Sequence, residues 1–445
     1  MKKREEILTK ERIEYVRRER EKHRSEAFEA AKFIIPADAM RELKELYTHY
    51  DEKSYVWLAG LYDPEAAAFY YSNSARDTEM YLPDVESTVQ AYMFINRYGL
   101  VPAEREDLTA RFKEHRTRTV DFVRNLQYPD GYFYHPQWKT DIPAPRKNRD
   151  YCWCKNFLTE MGAAPKYELP TSKPADGTRS KLLPPHLQDL EAFRAYLAEF
   201  DLSKRSYYIG NLLDTQVSQI NAAGKEFADL VVFWLNEHQR TDNGLWQEEI
   251  NYDSVNGLMK ISGCYPGLGA TLPNAYQGLK SAIFAAQSDE RMKFVCEHYN
   301  PWVAMGNVFK GQKGLEKEKL DTLRNLLWEN AASLIKKTKE KILVFKKEDG
   351  SFSYFKRMSA SISQGACVSV PRSNEGDVNA TSISHSTIKC MCVALGIPTI
   401  PFYSPADAEL FFELLDNAPR IEKKFKNPGG DKFPERVPYE EEIAE

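Results

Sequence analysis

Residues 231–261 read VVFWLNEHQRTDNGLWQEEINYDSVNGLMKI, and this stretch decides the predicted fold. It begins with the apolar end of a helix, continues through the polar turn Gln239–Gly244 and reaches an aromatic residue, Trp246. A second helix is expected to start near Asp253, because an aspartate at an N-cap can accept hydrogen bonds from the free amides of the first turn. The stretch therefore predicts a unit of helix, turn and helix.

The turn occurs in two further copies along the chain. In Gln127–Phe133 a glutamine is followed after three residues by Gly131, then by one residue and an aromatic. In Asp349–Phe352 the glutamine is missing, but the acidic residue, the glycine and the aromatic are kept. We therefore expect three turns at equivalent positions around a ring of helices.

Helix starts recur as well, at Asp84, Asp253 and Asp377. Each aspartate fits an N-cap, where its charge also complements the helix dipole. The helices that follow are apolar, as in an inner ring, and the helices before the turns carry more charge, as in an outer ring.

The segment Phe233–Trp246 resembles the QW motif of squalene–hopene cyclases and related terpenoid cyclases and prenyltransferases. The resemblance implies an all-α fold, the α/α toroid, in which alternating helices form two concentric rings. It does not carry over the acid of that family, because the Asp-x-Asp-Asp motif is absent. The nearest segment, Asp377-Val-Asn379, has an amide where the middle carboxylate would be.

Composition excludes several classes of protein. The chain of 445 residues has a net charge of −4, which argues against nucleic-acid binding. It has no signal-peptide pattern and no apolar run long enough to span a bilayer, so we expect a cytoplasmic protein without a membrane partner. We expect a charged helix at 1–32, a toroid domain at 33–420 and a charged, loosely ordered tail at 421–445. The oligomeric state stays open.

Cofactor motifs are absent from the sequence. It has no glycine-rich phosphate loop and no His-Glu-x-x-His, so we expect no cofactor. The pairs Cys152/Cys154 and Cys390/Cys392 have one residue between them, whereas structural zinc sites use wider spacing, so we expect no metal. Residues 143–148 are interpreted as a loop, and a helix is expected at 289–308.

Polar residues of the helix starts should converge at one mouth of the toroid. The candidate catalytic residues are Asp84, Glu86, Tyr252, Asp253, Asp377 and His385. The candidate substrate-binding residues are Tyr70, Tyr71, Arg76, Asn256, Lys260 and Asn379. Structural alternatives stay open: the aspartates as helix caps, His385 as a hydrogen-bonded core residue, and Arg76 as the ion-pair partner of Asp77.

Acids, a histidine and a tyrosine around an aromatic-rich funnel suit acid–base work on a sugar. The leading hypothesis is therefore an enzyme that cleaves a carbohydrate, possibly one containing uronate, as a hydrolase or lyase. One alternative is a terpenoid-cyclase-like enzyme with a non-standard acid, and another is a non-catalytic toroid that binds a ligand or a protein. A cyclase requires an aromatic and aliphatic pocket, whereas a carbohydrate enzyme requires acids, amides and ring faces in an open groove.

Overall fold

The computed structural model describes residues 2–172, 179–312 and 316–423, and α-helices dominate these ranges. In chain order the helices are α1 (Arg4–Ile7), α2 (Lys10–Ala31), α3 (Ala37–Tyr47), α4 (Glu52–Ala59), α5 (Asn73–Asp77), α6 (Val85–Arg97), α7 (Glu106–Asn125), α8 (Ala144–Glu160), α9 (Leu190–Ala198), α10 (Leu202–Ala223), α11 (Lys225–His238), α12 (Tyr252–Gly267), α13 (Ala275–Gln287), α14 (Cys296–Lys310), α15 (Lys317–Ile342), α16 (Val378–Leu395) and α17 (Pro405–Asp416).

The described ranges contain two small sheets, and each is an antiparallel hairpin of two strands. Strand β1 (Tyr62–Asp63) pairs with β2 (Ala68–Phe69), and β3 (Ile362–Ser363) pairs with β4 (Ala366–Cys367). Single 3₁₀ turns occur at Pro185–Leu187 and Leu343–Phe345.

Alternate helices form a closed inner ring. Helices α6, α8, α10, α12, α14 and α16 each pack on the next, and α16 packs back on α6. The intervening helices α7, α9, α11, α13, α15 and α17 lie outside them, and α2, α3 and α4 add to this outer layer against α15 and α17. The fold is an α/α toroid, which confirms the all-α prediction.

Small residues let the inner helices approach each other. Gly257 on α12 faces Ser206 on α10, and a Cβ at 257 would lie only 1.9 Å from the Ser206 hydroxyl oxygen. The inner helices are buried on most sides, as their apolar sequences predict, whereas the outer helix α15 keeps an exposed, lysine-rich face.

The three predicted turns occupy equivalent places in the ring. They connect α7 to α8, α11 to α12 and α15 to α16, so each joins an outer helix to the next inner helix. Gly131, Gly244 and Gly350 have φ values of 80°, 69° and 83°. These left-handed conformations favour glycine. At Gly244 a Cβ would also lie 2.2 Å from the backbone nitrogen of Gly278. The prediction of equivalent turns is confirmed.

Each turn is closed by the same side-chain bond. The residue before the glycine accepts a hydrogen bond from the amide two positions later: Tyr132 to Asp130 (3.1 Å), Leu245 to Asn243 (2.9 Å) and Ser351 to Asp349 (3.0 Å). Gln127 and Gln239 also donate to the carbonyls of Gly131 and Gly244. In the third turn Lys346 takes the glutamine position and donates to the carbonyl of His49 instead.

Three sequence-based assignments are wrong, one of a helix cap and two of helix boundaries. Helix α12 is capped by Asn251, so Asp253 is not an N-cap but the second residue of the helix. Residues 144–148 are not a loop, because Pro145 fits the first turn of α8, where a missing N–H costs nothing. Helix α14 begins at Cys296 rather than near 289.

The N-terminal region packs on the body of the protein. The expected helix at 1–32 is split into α1 and α2, and Thr9 caps α2 between them. On α2 the buried Arg20 pairs with Glu52 at 2.7 Å, and Arg24 donates to the carbonyl of Phe402. Of the expected tail at 421–445, residues 424–445 lie outside the described ranges.

None of the helices in the described ranges combines the length and apolar character that a bilayer-spanning segment requires.

Candidate active site in the central cavity

A cavity of about 830 Å³ lies inside the inner ring, and all six inner helices contribute to its wall. Its aromatic lining consists of Tyr71, Trp153, Tyr207, Phe294, Tyr299, Tyr354 and Phe355. Its acids are Asp253, Glu290 and Glu297, and its cations are Arg97, Arg149, Lys260 and Lys293.

Five of the twelve sequence-based candidates line this cavity, and seven do not. Those in the wall are Tyr71, Asp253, Asn256, Lys260 and Asn379. Two amide pairs join neighbouring inner helices here. Gln90 donates to Asn379 at 2.8 Å, and Asn300 donates to Asn256 at 2.9 Å. These amides leave polar edges along the wall.

Asp84 and Glu86 lie behind the wall in a buried network around Arg146. The guanidinium donates to Asp84 (3.0 Å), Glu86 (2.9 Å) and Asp150 (2.9 Å). All four side chains are at most 2% exposed. Because an unpaired buried charge is unfavourable, Arg146 acts as the common counter-ion of three carboxylates.

The acceptor sites of Glu86 are filled by four donors. Oε2 accepts from Arg146 and from the Ser363 hydroxyl (2.6 Å), and Oε1 accepts from Arg149 (3.1 Å) and Gln90 (3.2 Å). This arrangement leaves little capacity for a substrate.

The two aspartates of the network differ in pKa. Burial alone would raise the pKa of Asp84, but Arg146 and His135 outweigh it, so the pKa of Asp84 lies well below its ordinary value. Burial raises the pKa of Asp150 to about 7, against the opposing effect of Arg146. Asp84 also caps α6 by accepting from the amide of Ser87 at 2.7 Å.

Asp377 is a structural cap. Its carboxylate accepts from the backbone amides of Ala380 (2.7 Å), Tyr354 (3.0 Å) and Ala360 (3.3 Å), and it is fully buried. Burial raises its pKa to about 7, although these amides favour the charged form. Asp377 thus joins the start of α16 to the 354–360 segment that covers the cavity.

His385 lies in an aromatic core away from the cavity lining. One ring nitrogen contacts the Thr381 carbonyl at 2.9 Å and the other contacts the Tyr403 hydroxyl at 2.9 Å. Burial lowers its pKa to about 3, so the ring is neutral at physiological pH. Phe94 and Tyr50 pack edge-on against it.

The remaining candidates are also placed outside the cavity. Tyr252 accepts a hydrogen bond from Lys341, and burial raises the pKa of its hydroxyl. Tyr70 donates to Asp63 at 3.3 Å. Arg76 forms a two-bond pair with Asp77, at 2.7 Å and 2.9 Å, which is the structural alternative considered for it.

Glu297 is a cavity acid that sequence reasoning missed. It is 6% exposed, and its Oε2 accepts from the amides of Lys293 (2.5 Å) and Phe294 (3.2 Å). Within the described residues its Oε1 accepts no hydrogen bond and its carboxylate forms no ion pair. Burial, with a contribution from Glu290, raises its pKa to about 7. A substantial fraction of this carboxyl is therefore protonated near neutral pH.

Four of the six inner helices carry an acid or an amide at the same position. The second residue of the helix is Glu86 in α6, Asp253 in α12, Glu297 in α14 and Asn379 in α16. The first turn of an inner helix lies at the same mouth of the ring, so this position collects polar groups there. Comparing helix starts would have found Glu297, had the start of α14 been placed at Cys296.

No metal-binding group is evident in the described ranges. They hold no cluster of three or more His, Cys, Asp or Glu side chains arranged for a metal ion. The cysteines of the two Cys-x-Cys pairs are free thiols on α8 and α16, and burial raises the pKa of all four.

Comparison with solved structures shows a distant similarity to a known enzyme. The chain is similar to a variant of the type II terpene cyclase MstE from Scytonema, in complex with its product merosterolic acid A. The identity is 12%, the TM-score is 0.37, and the match covers 80% of this chain and 98% of that chain. A likeness of this extent bears on neither substrate nor chemistry. The sequence matches no protein-family model, and the search of curated proteins found no match.

Proposed function

We propose that this protein is an enzyme that starts its reaction by protonating a largely apolar substrate in the central cavity, in the manner of a terpenoid cyclase with a non-standard acid. The observation that carries the proposal is Glu297: a carboxyl in the cavity wall whose Oε1 accepts no hydrogen bond from the described residues and whose pKa is raised to about 7. A general acid works best when its pKa lies near the working pH.

The aromatic part of the lining supports a reaction that generates positive charge. Aromatic faces attract cations, and seven aromatic side chains line the cavity. Within the described ranges Glu297 has no ion-pair partner. It therefore differs from the carboxylates around Arg146, and its proton can leave without a change in a salt-bridge network.

A second candidate function is acid–base cleavage of a carbohydrate. The amide pairs Gln90–Asn379 and Asn256–Asn300 favour it, because amide edges suit sugar hydroxyls. Asp253 would then be a further carboxylate on the same wall.

One experiment separates the two candidates. Purified protein is incubated with a panel of polyprenyl alcohols, acids and epoxides and with uronate oligosaccharides, and products are identified by mass spectrometry. We expect cyclised isoprenoid products, and a roughly 10²- to 10⁴-fold lower rate for Glu297→Gln, the usual contribution of a general acid. The matched control is Glu106→Gln, an exposed first-turn glutamate on the outer helix α7.

Oligosaccharide cleavage without isoprenoid products would contradict the first function and support the second, acid–base cleavage of a carbohydrate. Full isoprenoid turnover by Glu297→Gln would remove Glu297 as the acid.

The pH profile gives an independent test. Since the protonated carboxyl is the active form, kcat/KM should fall tenfold per pH unit above the pKa of Glu297 in the free protein, about 7. A rate that stays constant between pH 6 and pH 9 would contradict the assignment.

A further inference from the structure

Arg149 is a cavity cation with unused donors. It lies on α8, is half-buried and lines the cavity. Its Nη1 donates to Glu86 at 3.1 Å, whereas Nε and Nη2 donate to no group in the described residues. The Nε–Nη2 edge of a guanidinium matches the two oxygens of a carboxylate.

The surroundings hold this edge in place. The Arg149 guanidinium lies over the ring of Trp153, 4.9 Å from its centroid, and the Glu86 bond fixes the opposite corner. A preorganised guanidinium loses little side-chain entropy when it binds.

Tyr207 adds a hydroxyl to the same wall. It extends from the neighbouring inner helix α10, and its hydroxyl makes no hydrogen bond within the described ranges. Burial raises its pKa to about 12, whereas the charge of Arg149 acts in the opposite direction. The hydroxyl therefore stays protonated and can donate to an oxyanion.

We propose that Arg149 and Tyr207 bind a monoanionic carboxylate carried by the substrate, so that the substrate class is an isoprenoid acid. The inference rests on the proposed function. A single charge fits better than a diphosphate, because Asp253, Glu290 and Glu297 offset most of the charge of the four cations in the lining, and Arg149 already shares its charge with Glu86. The carboxylate lies on the Trp153 side, and the apolar chain extends along the aromatic lining.

The test measures binding, so it does not depend on turnover. Dissociation constants of farnesoate, farnesyl phosphate and farnesol are determined by calorimetry for the full-length protein. We expect farnesoate to bind at least tenfold more tightly than farnesol and more tightly than the phosphate. Arg149→Met should weaken farnesoate binding by roughly 10- to 100-fold, as for loss of charged hydrogen bonds, and leave farnesol binding unchanged.

Two variants guard against indirect effects. Tyr207→Phe removes only the hydroxyl and should weaken farnesoate binding by roughly fivefold, about one neutral hydrogen bond. Arg240→Met, on the exposed turn where Arg240 pairs with Asp242, is the matched control and should bind like the wild type.

Each outcome decides something. Equal binding of acid and alcohol, or tighter binding of the phosphate, overturns the carboxylate site. Tight, Arg149-dependent farnesoate binding without any isoprenoid product supports the site and removes the proposed reaction. Absence of binding by all three probes overturns both.

Discussion

Glu86 and Glu297 occupy the same position in two inner helices, yet their surroundings differ. Both are the second residue of their helix and both are almost fully buried. Glu86 accepts from four donors, two of them arginines, whereas Glu297 accepts from two backbone amides through one oxygen. Position on a helix therefore places an acid at the mouth of the toroid, and its hydrogen-bond partners decide whether it supports the wall or remains available for chemistry.

The largest expected effect follows from removing the shared counter-ion. Arg146→Met leaves three buried carboxylates, Asp84, Glu86 and Asp150, with Arg149 as the remaining cation on Glu86. We expect the free energy of unfolding to fall by about 3–5 kcal/mol, the range for breaking a buried ion pair. Urea denaturation followed by circular dichroism measures it.

The control for this variant is Arg240→Met, which interrupts an exposed pair and should change stability by under about 1 kcal/mol. A loss for Arg146→Met as small as that of the control would mean that the network around Arg146 contributes little to stability. The contrast between Glu86, which belongs to that network, and Glu297 would then have no energetic basis.

The sequence was informative where a structural requirement is local. The three turns could be predicted from Gly131, Gly244 and Gly350 and from the acidic or amide residue before each glycine. Each turn is closed by a hydrogen bond within a few residues, so its sequence signal is local. Caps at Asp84 and Asp377 are local for the same reason.

The site was less predictable because its chemistry depends on distant partners. Arg146 reaches Glu86 across 60 positions of sequence, and Ser363 reaches it across 277. No local sequence pattern shows that the carboxylate oxygens of Glu86 already accept hydrogen bonds from four donors. The raised pKa of Glu297 also comes from burial by the closed ring, which no window of sequence contains. In the sequence, candidate residues that lie outside the cavity, such as His385, could not be distinguished from candidates that line it.

A smaller effect is expected from neutralising Glu86 itself. In Glu86→Gln an NH₂ group replaces one carboxylate oxygen. This group is itself a donor, and it then faces the two donors from which that oxygen accepted hydrogen bonds. We expect a loss of about 2–4 kcal/mol at pH 7.5, because buried donors are left unsatisfied. Chemical denaturation checks it against Glu106→Gln, which should be near neutral. A stabilised Glu86→Gln would show that Glu86 behaves like Glu297.

The smallest effect has the opposite sign and depends on pH. Burial raises the pKa of Glu297 from 4.5 to about 7, so ionising it opposes folding. In the wild type this unfavourable contribution is absent below pH 4.5, grows as the pH rises and is complete above pH 7. Glu297→Gln has no such contribution. Its stability relative to the wild type should therefore rise by about 1–3 kcal/mol between pH 4.5 and pH 8. Thermal and urea unfolding at several pH values measure this difference, with Glu106→Gln as the matched control. A difference that is flat with pH, or that falls as the pH rises, would mean that burial does not raise the pKa of Glu297. The availability of its proton for catalysis would then no longer follow.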